Sequence, residues 1–141
     1  ANPNCQKALK KGKAMKNGDV LQLEAEFKLE AVPAYNTTPG REQFHPKERD
    51  NGYILTLGGT RIYIAGDTED IPEMKQIKHI DIAFLPVNQP YTMTPEQAIK
   101  AAKVVRPSIL YPYHYGNTEI DKVKTGLKDT PNIDVRIRAL Q

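Results

Sequence analysis

Cysteine and long apolar runs are scarce in this sequence, and each scarcity excludes a class of protein. The only cysteine is Cys5, so the chain cannot form an internal disulfide, which fits a reducing compartment. The longest apolar stretch, 80–87, is interrupted by Asp81 and is too short to cross a bilayer. No charged-then-apolar leader opens the sequence. We therefore expect a cytoplasmic protein that does not contact a membrane.

The chain as a whole has no large excess of positive or negative charge, although positive charge is concentrated at one end. The net charge is +3, and charged residues make up 26% of the 141 residues, as in ordinary soluble domains. Lysines crowd the first residues, at positions 7, 10, 11, 13 and 16. They could form a nucleic-acid or phosphate-binding edge. No aromatic residues are interleaved for base stacking, which favours the wet side of a solvated helix.

The length predicts a single domain, 1–141, with one modest core, and no Gly/Pro-rich linker divides it. We divide it into a basic lead-in (1–18), a region of strands and a hairpin (20–65), and alternating helices and strands (66–141). Apolar and polar residues alternate over 20–32, which predicts one or two strands with one buried face. The segment 36–51 is polar enough to be an irregular, exposed loop.

A hairpin is the clearest local structure. Two β-rich runs, 53–57 and 61–65, are separated by Gly58-Gly59-Thr60, and Gly-Gly supplies the positive φ that tight turns demand. Gly66 and Asp67 follow the second run. The hairpin therefore presents a carboxylate directly after a residue that permits close backbone approach.

The second half of the chain alternates helices with strands, which predicts helices packed on a sheet. We expect a short helix over 71–77, a strand over 81–87, a helix from the Thr94 cap to Arg106, a strand over 108–111, a weaker helix over 120–127 and a last strand over 133–140. Glu69, Asp70 and Glu73 are expected in the first turn of the short helix, where negative charge is favoured.

Two residues that bind divalent metals follow apolar strands. Asp67 follows the hairpin, and His114 follows the strand over 108–111. In open α/β sheets, ligand sites gather at the carboxyl ends of strands. Carboxylate and imidazole groups bind zinc or manganese, and a metal there would lower the pKa of its water to give a hydroxide nucleophile. The alternatives are a turn or helix cap for Asp67 and a hydrogen-bonded histidine for His114, because two ligands alone do not make a zinc site.

The other histidines have weaker contexts. His45 lies in the polar loop "REQFHPKERDNG", where it is either an exposed loop residue or one that leans over a pocket. His79 is expected at a helix end. The sequence contains neither a phosphate-cradling glycine loop nor a serine nucleophile elbow.

Over about 32–116 the sequence resembles the C-terminal half of a metallo-β-lactamase-fold hydrolase. The resemblance rests on "VPAYNTTPGREQFHPKERDNGYILTLGGTRIYIAGDTEDIPEM" and "DIAFLPVNQPYTMTPEQAIKAAKVVRPSILYPYHYG". More narrowly, the sequence is similar to bacterial metal-dependent hydrolases related to ascorbate-phosphate lactonase. The hairpin into Gly-Asp-Thr, the "LPV" strand, "YTMTPEQA" and "YPYHYG" occur in the family's order and spacing.

The resemblance implies an α/β fold, half of an αββα sandwich, with a mixed sheet and helices on one face. It places the carboxylate that bridges two metal ions on Asp67 and the last histidine ligand on His114. It also implies that a water held between two zinc or manganese ions attacks an ester, lactone, amide or phosphodiester bond of a small-molecule substrate. "VNQPYTM" and "AYNTTPGREQFH" would be pocket loops, with Asn36, His45 and Tyr91 as substrate-binding candidates.

The chain departs from this family in two places. The H-x-H-x-D-H motif of the N-terminal half is absent from the sequence, and Asn36 stands near the position of a further family histidine. We therefore expect the C-terminal part of a longer hydrolase, with an incomplete metal site, inactive by itself and with one sheet face exposed. The missing half or a second copy would complete it. The competing hypothesis is a non-catalytic interaction module or a basic nucleic-acid-binding module.

Overall fold

The sheet has seven strands that lie side by side in chain order. The structure, a computed structural model, describes residues 1–140. Its strands are β1 (Val20–Glu24), β2 (Phe27–Ala34), β3 (Asp50–Leu57), β4 (Thr60–Ile64), β5 (Ile82–Pro86), β6 (Ile109–Tyr113) and β7 (Asp134–Val135). Its helices are α1 (Pro3–Leu9), α2 (Pro95–Val105), α3 (Asp121–Gly126) and a 3₁₀ helix (Pro72–Gln76).

The pairing of the strands changes direction at β4, which makes the sheet mixed. β1 to β4 pair antiparallel, whereas β4 to β7 pair parallel. The predicted hairpin is confirmed: Leu57 pairs with Thr60, and Gly58 and Gly59 have φ values of 52° and 84°. Because parallel strands end at the same edge, the residues after β4, β5 and β6 lie along one rim of the sheet.

Helix α2 begins and ends where its sequence predicts. Thr94 accepts from the main-chain N–H of Gln97, and the Gln97 side chain accepts from that of Thr94, which is a complete capping box. The helix stops at Arg106, which is left-handed (φ 54°), because Pro107 follows.

The core lies between one face of the sheet and the helices. Tyr63, Ala83 and Leu110 point from three adjacent strands toward buried residues of the 3₁₀ helix, α2 and α3. Tyr63, Ala83 and Leu110 are all 0% exposed, so the centre of this face is fully covered. The expected α/β class, a mixed sheet with helices packed on it, is confirmed.

The opposite face of the sheet, here called the open face, carries apolar side chains that stay partly exposed. Its central members are Ile62, Ile64, Ile82, Phe84, Ile109 and Tyr111. The Phe84 and Tyr111 rings stack at 5.2 Å, and Ile64 is 37% exposed. An apolar sheet face of this kind is what one half of a sandwich presents.

Three details differ from the sequence-based expectations. Glu69 and Asp70 precede the 3₁₀ helix, so only Glu73 lies in its first turn. The last strand has two residues rather than eight, because pairing with β6 ends after the Arg136 N–H donates to the Leu110 carbonyl.

The third concerns the loop between β2 and β3. The predicted segment 36–51 is irregular up to residue 49, but Asp50 and Asn51 belong to β3 and Asn36 is buried rather than exposed.

Two earlier expectations concern the exposure of the lead-in lysines and the absence of a membrane span. Lys7, Lys10, Lys11, Lys13 and Lys16 are all exposed. None of the helices within residues 1–140 has the length and hydropathy of a membrane span.

Candidate metal centre

Asp67 reaches the rim of the sheet because glycine precedes it. Gly66 has a φ of 70°, and a Cβ atom built there would lie 2.7 Å from the main-chain oxygen of Asn51 in β3. Only glycine combines that φ with so close an approach. The backbone therefore turns sharply out of β4 and leaves the Asp67 side chain 38% exposed at the rim.

His114 lies beside Asp67 although 47 residues separate them in the chain. It follows β6 directly, has a φ of 50°, and its main-chain N–H donates to the Leu140 carbonyl at 2.7 Å. Its Nδ1 lies 3.2 Å from Asp67 Oδ1. A left-handed, non-glycine residue held in this way is often found at a functional site.

Tyr113 is a neutral neighbour of Asp67. Burial raises the pKa of its hydroxyl, and the negative charge of Asp67 raises that pKa further. The phenol therefore stays protonated at neutral pH beside the carboxylate.

His45 approaches the other carboxylate oxygen of Asp67. Its Nε2 lies 3.7 Å from Asp67 Oδ2, and its Nδ1 lies 3.2 Å from Asp50 Oδ2. The His45 side chain is 17% exposed, so it is not a freely exposed loop residue. The structure thus brings Asp67, His114 and His45 together.

Asp50 is held in place from three sides. Asn2 Nδ2 donates to its Oδ1 at 3.0 Å, and Arg49 Nη2 donates to its Oδ2 at 2.7 Å. Burial acts to raise the pKa of Asp50, but the hydrogen bonds from Arg49 and His45 outweigh it and hold this pKa below its usual value. Asp50 is therefore an ionised partner behind His45. The sequence analysis missed it.

Asn36 joins the two predicted pocket loops instead of facing the carboxylate. It is buried, and its Nδ2 donates to the carbonyls of Arg41 and Tyr91 at 3.1 and 2.8 Å. Tyr91 is 45% exposed, and its ring meets Phe44 edge-on at 5.0 Å. Across residues 1–140, neither Asn36 nor Tyr91 hydrogen-bonds to Asp67, and their predicted substrate contacts stay predictions.

A second missed residue, Glu69, fastens the same two loops. It is fully buried, accepts from the main-chain N–H groups of Thr37 and Thr38 at 2.7 Å each, and pairs with Arg41 at 2.9 Å. Arg41 in turn donates to the Pro90 carbonyl at 2.7 Å. Burial acts to raise the pKa of Glu69, but the hydrogen bonds from the two threonines lower it overall. The acidic cluster after Asp67 could have indicated Glu69 in the sequence. The role of Glu69 was missed because the whole cluster was attributed to the start of a helix.

A cleft of about 500 Å³ opens over this arrangement. Its lining includes Ala1, Asn2, Cys5, Leu9, His45, Asp50, Tyr53 and Asp67. The N-terminal segment therefore lines this cleft together with Asp67 and His45. This volume is sufficient for a small organic molecule.

The donor atoms fit a divalent metal in kind but not in number. A carboxylate and two imidazoles are the ligands that zinc and manganese take. Yet among the side chains of residues 1–140, no group of three or more His, Cys, Asp or Glu could hold a metal ion by itself.

Comparison with known proteins identifies the family of this chain. Residues 4–114 match the beta-lactamase superfamily domain, so the chain belongs to that family. It is 41% identical over 71 residues to a UPF0173 metal-dependent hydrolase from Symbiobacterium thermophilum, a match covering 46% of this chain and 32% of that protein. The expected resemblance to metal-dependent hydrolases of the metallo-β-lactamase fold is thereby confirmed.

Solved structures agree on the fold. A crystal structure from Parabacteroides distasonis, described provisionally as a metal-dependent hydrolase, is 67% identical over 100% of this chain, with a TM-score of 0.97, and the match covers 64% of that protein. Igni18, a metallo hydrolase from Ignicoccus hospitalis, is 24% identical, with a TM-score of 0.77, over 97% of this chain and 62% of its own. The chain therefore spans less than two thirds of each of these three relatives.

Proposed function

We propose that this chain provides part of the active site of a metal-dependent hydrolase, in which a metal-activated water attacks an ester, lactone or phosphodiester-type bond of a small molecule. The observation that carries the proposal is the convergence of Asp67 and His114, whose Oδ1 and Nδ1 lie 3.2 Å apart at the sheet rim. The relatives named as metal-dependent hydrolases support the same reaction class.

Asp67 and His114 would hold zinc or manganese, two ions in the complete site, with Asp67 between them. Such an ion supplies a bound water of lowered pKa and polarises the scissile bond. The residues of this chain would orient the substrate and limit its access to bulk water. Asn36, His45 and Tyr91 lie on or between the two loops that would bound the substrate, and the Glu69–Arg41 pair keeps those loops together.

The remaining ligands would come from outside this chain, either from the rest of a longer protein or from a second copy. Two observations support an incomplete half: the open face of the sheet, and the share of its relatives that the chain spans. The exposed thiol of Cys5 supports a reducing, cytoplasmic location.

Replacing Asp67 by Asn in the natural gene product tests the proposal. Metal content, measured by elemental mass spectrometry after purification without chelators, should fall to background in Asp67→Asn. Hydrolysis of a panel of nitrophenyl esters, lactones and phosphodiesters should fall with it. Asp129→Asn is the matched control, because Asp129 is an exposed carboxylate far from Asp67 in the sequence. This variant should keep both the metal content and the hydrolysis. Unchanged metal content and turnover in Asp67→Asn would refute the role of Asp67.

The competing basic nucleic-acid-binding function stays a prediction that rests only on the exposed lysines of the lead-in. If it holds, affinity for DNA or RNA falls steeply with salt and with replacement of those lysines.

A further inference from the structure

We infer that His45 is a metal ligand, held by Asp50, and that it serves a different ion position from His114. The inference rests on the proposed function, because it assigns this chain's own residues to the two sides of the Asp67 carboxylate. The observation is that the two oxygens of Asp67 face different histidines: Oδ1 faces His114 and Oδ2 faces His45.

Both distances fit donors that share an ion, although the shorter one is also that of a hydrogen bond. Two ligands bound at roughly 2.0–2.1 Å to one tetrahedral ion lie about 3.4 Å apart. The two observed separations from Asp67, 3.2 Å to His114 Nδ1 and 3.7 Å to His45 Nε2, lie on either side of that value. The longer one exceeds the range of a hydrogen bond, so a hydrogen bond to Asp67 does not account for the orientation of His45.

The hydrogen bond on the other ring nitrogen points to the same role. Histidines that bind metals nearly always donate the N–H of their other ring nitrogen to a carboxylate or carbonyl, which fixes the ring orientation and the tautomer. His45 Nδ1 lies 3.2 Å from Asp50 Oδ2, and Arg49 and Asn2 hold that carboxylate. The tautomer that results leaves the lone pair of Nε2 directed at Asp67.

The main chain of His45 is also fixed in advance. Its carbonyl accepts from the Asn36 N–H at 2.9 Å, and the loop that carries it is fastened by Glu69 through Thr37 and Thr38. A ligand position with so many restraints loses little entropy when it binds an ion.

Two ion positions also explain why no three-ligand cluster exists within residues 1–140. Each position would receive one histidine of its own and one oxygen of the shared Asp67. Further ligands at both positions would come from outside the chain.

The experiment is metal stoichiometry of the natural gene product, equilibrated with zinc or cobalt(II), with cobalt absorption as a second readout. We expect His45→Ala to lose one ion per chain and to alter the cobalt spectrum. His114→Ala should also lose one ion, and Asp67→Asn should lose both. His79→Asn is the control, since His79 is exposed, has a φ of 55° that Asn tolerates, and should change neither readout.

Asp50→Asn provides a second variant in case His45→Ala does not fold. It keeps the size of the side chain but weakens the bond to His45, so affinity for one ion should fall about 10–100-fold. The inference would be overturned if His45→Ala kept the wild-type metal stoichiometry and cobalt spectrum. If His45→Ala does not fold, unchanged metal affinity in Asp50→Asn would overturn it. The proposed function would survive if Asp67→Asn and His114→Ala still lost metal. Absence of metal from the wild type would refute both.

Discussion

Gly66→Ala is the substitution whose effect the structure defines best. Two separate strains meet at this position: a φ of 70°, and a main-chain oxygen of Asn51 that would lie 2.7 Å from the new methyl group. Two other glycines carry one strain each. Gly59 has a φ of 84° with no atom within 4 Å, whereas Gly52 has its would-be Cβ 2.5 Å from the Ala65 oxygen without a positive φ.

The magnitudes follow from these strains. A left-handed alanine costs roughly 1–2 kcal/mol, and crowding against a packed backbone costs about 1–3 kcal/mol more. Loss of unfolded-state entropy returns about 0.4–1 kcal/mol. Gly59→Ala should therefore lower the free energy of unfolding by about 1 kcal/mol, and Gly66→Ala by about 2–4 kcal/mol. For a chain of this size each kcal/mol is about 4 °C in Tm.

Urea unfolding followed by circular dichroism measures these differences, provided that the m-value stays constant across the series. Gly59→Ala isolates the φ strain and Gly52→Ala the crowding. The Gly66→Ala loss should exceed the sum of the two by about 0.4–1 kcal/mol, because the unfolded-state entropy return enters that sum twice. If Gly66→Ala is no more damaging than Gly59→Ala, the close approach to Asn51 does not constrain the turn before Asp67. Metal content of Gly66→Ala should fall as well, since the turn positions Asp67.

Three further predictions concern the Glu69–Arg41 pair, which holds the two pocket loops together, and the open face. Glu69→Gln should lower the free energy of unfolding by about 3 kcal/mol in urea, because the fully buried carboxylate accepts from the Thr37 and Thr38 N–H groups and pairs with Arg41. Glu96→Gln, at an exposed carboxylate, is its control, and equal stability of the two would contradict this role of Glu69. Because the pKa of Glu69 is lowered, its ionised form stabilises the fold above the unfolded pKa, and this stability is lost as the pH falls through the lower folded pKa. Wild-type stability should therefore decline below about pH 4.5 more steeply than that of Glu69→Gln, and parallel declines would remove this role from Glu69. Ile64→Thr, on the open face, should reduce self-association of the chain, measured by sedimentation velocity, with little change in secondary structure. Unchanged self-association would show that the open face does not mediate it.

Local chemistry accounts for what the sequence predicts correctly. Gly58-Gly59 determines the hairpin, the Thr94 capping box begins α2, and Pro107 ends it. Each signal acts over a few residues, so no long-range contact is needed to interpret it. The convergence of Asp67 and His114 was also expected, since both follow strands that end at one rim.

The features that escaped prediction depend on contacts between distant segments. Burial of Glu69 is stabilised by Thr37 and Thr38, about thirty residues earlier, so its neighbours in sequence say nothing of it. The contact of His45 with Asp50 depends on the fold of an irregular loop. The short β7 is of the same kind, since its alternation predicts a longer strand but only Ile109 and Leu110 of β6 pair with it.

The chain-order arrangement of the strands determines how the rim residues come together during folding. Every strand pairs with its neighbour in sequence, so the sheet can grow by successive closures of modest entropy cost, starting at the β3–β4 hairpin. Asp67 arrives with that hairpin, and His45 arrives when β2 joins it. His114 reaches Asp67 only after β5 has docked between β4 and β6. An ion at the position served by His114 would therefore bind late, slowing the unfolding of the finished sheet without speeding its first steps.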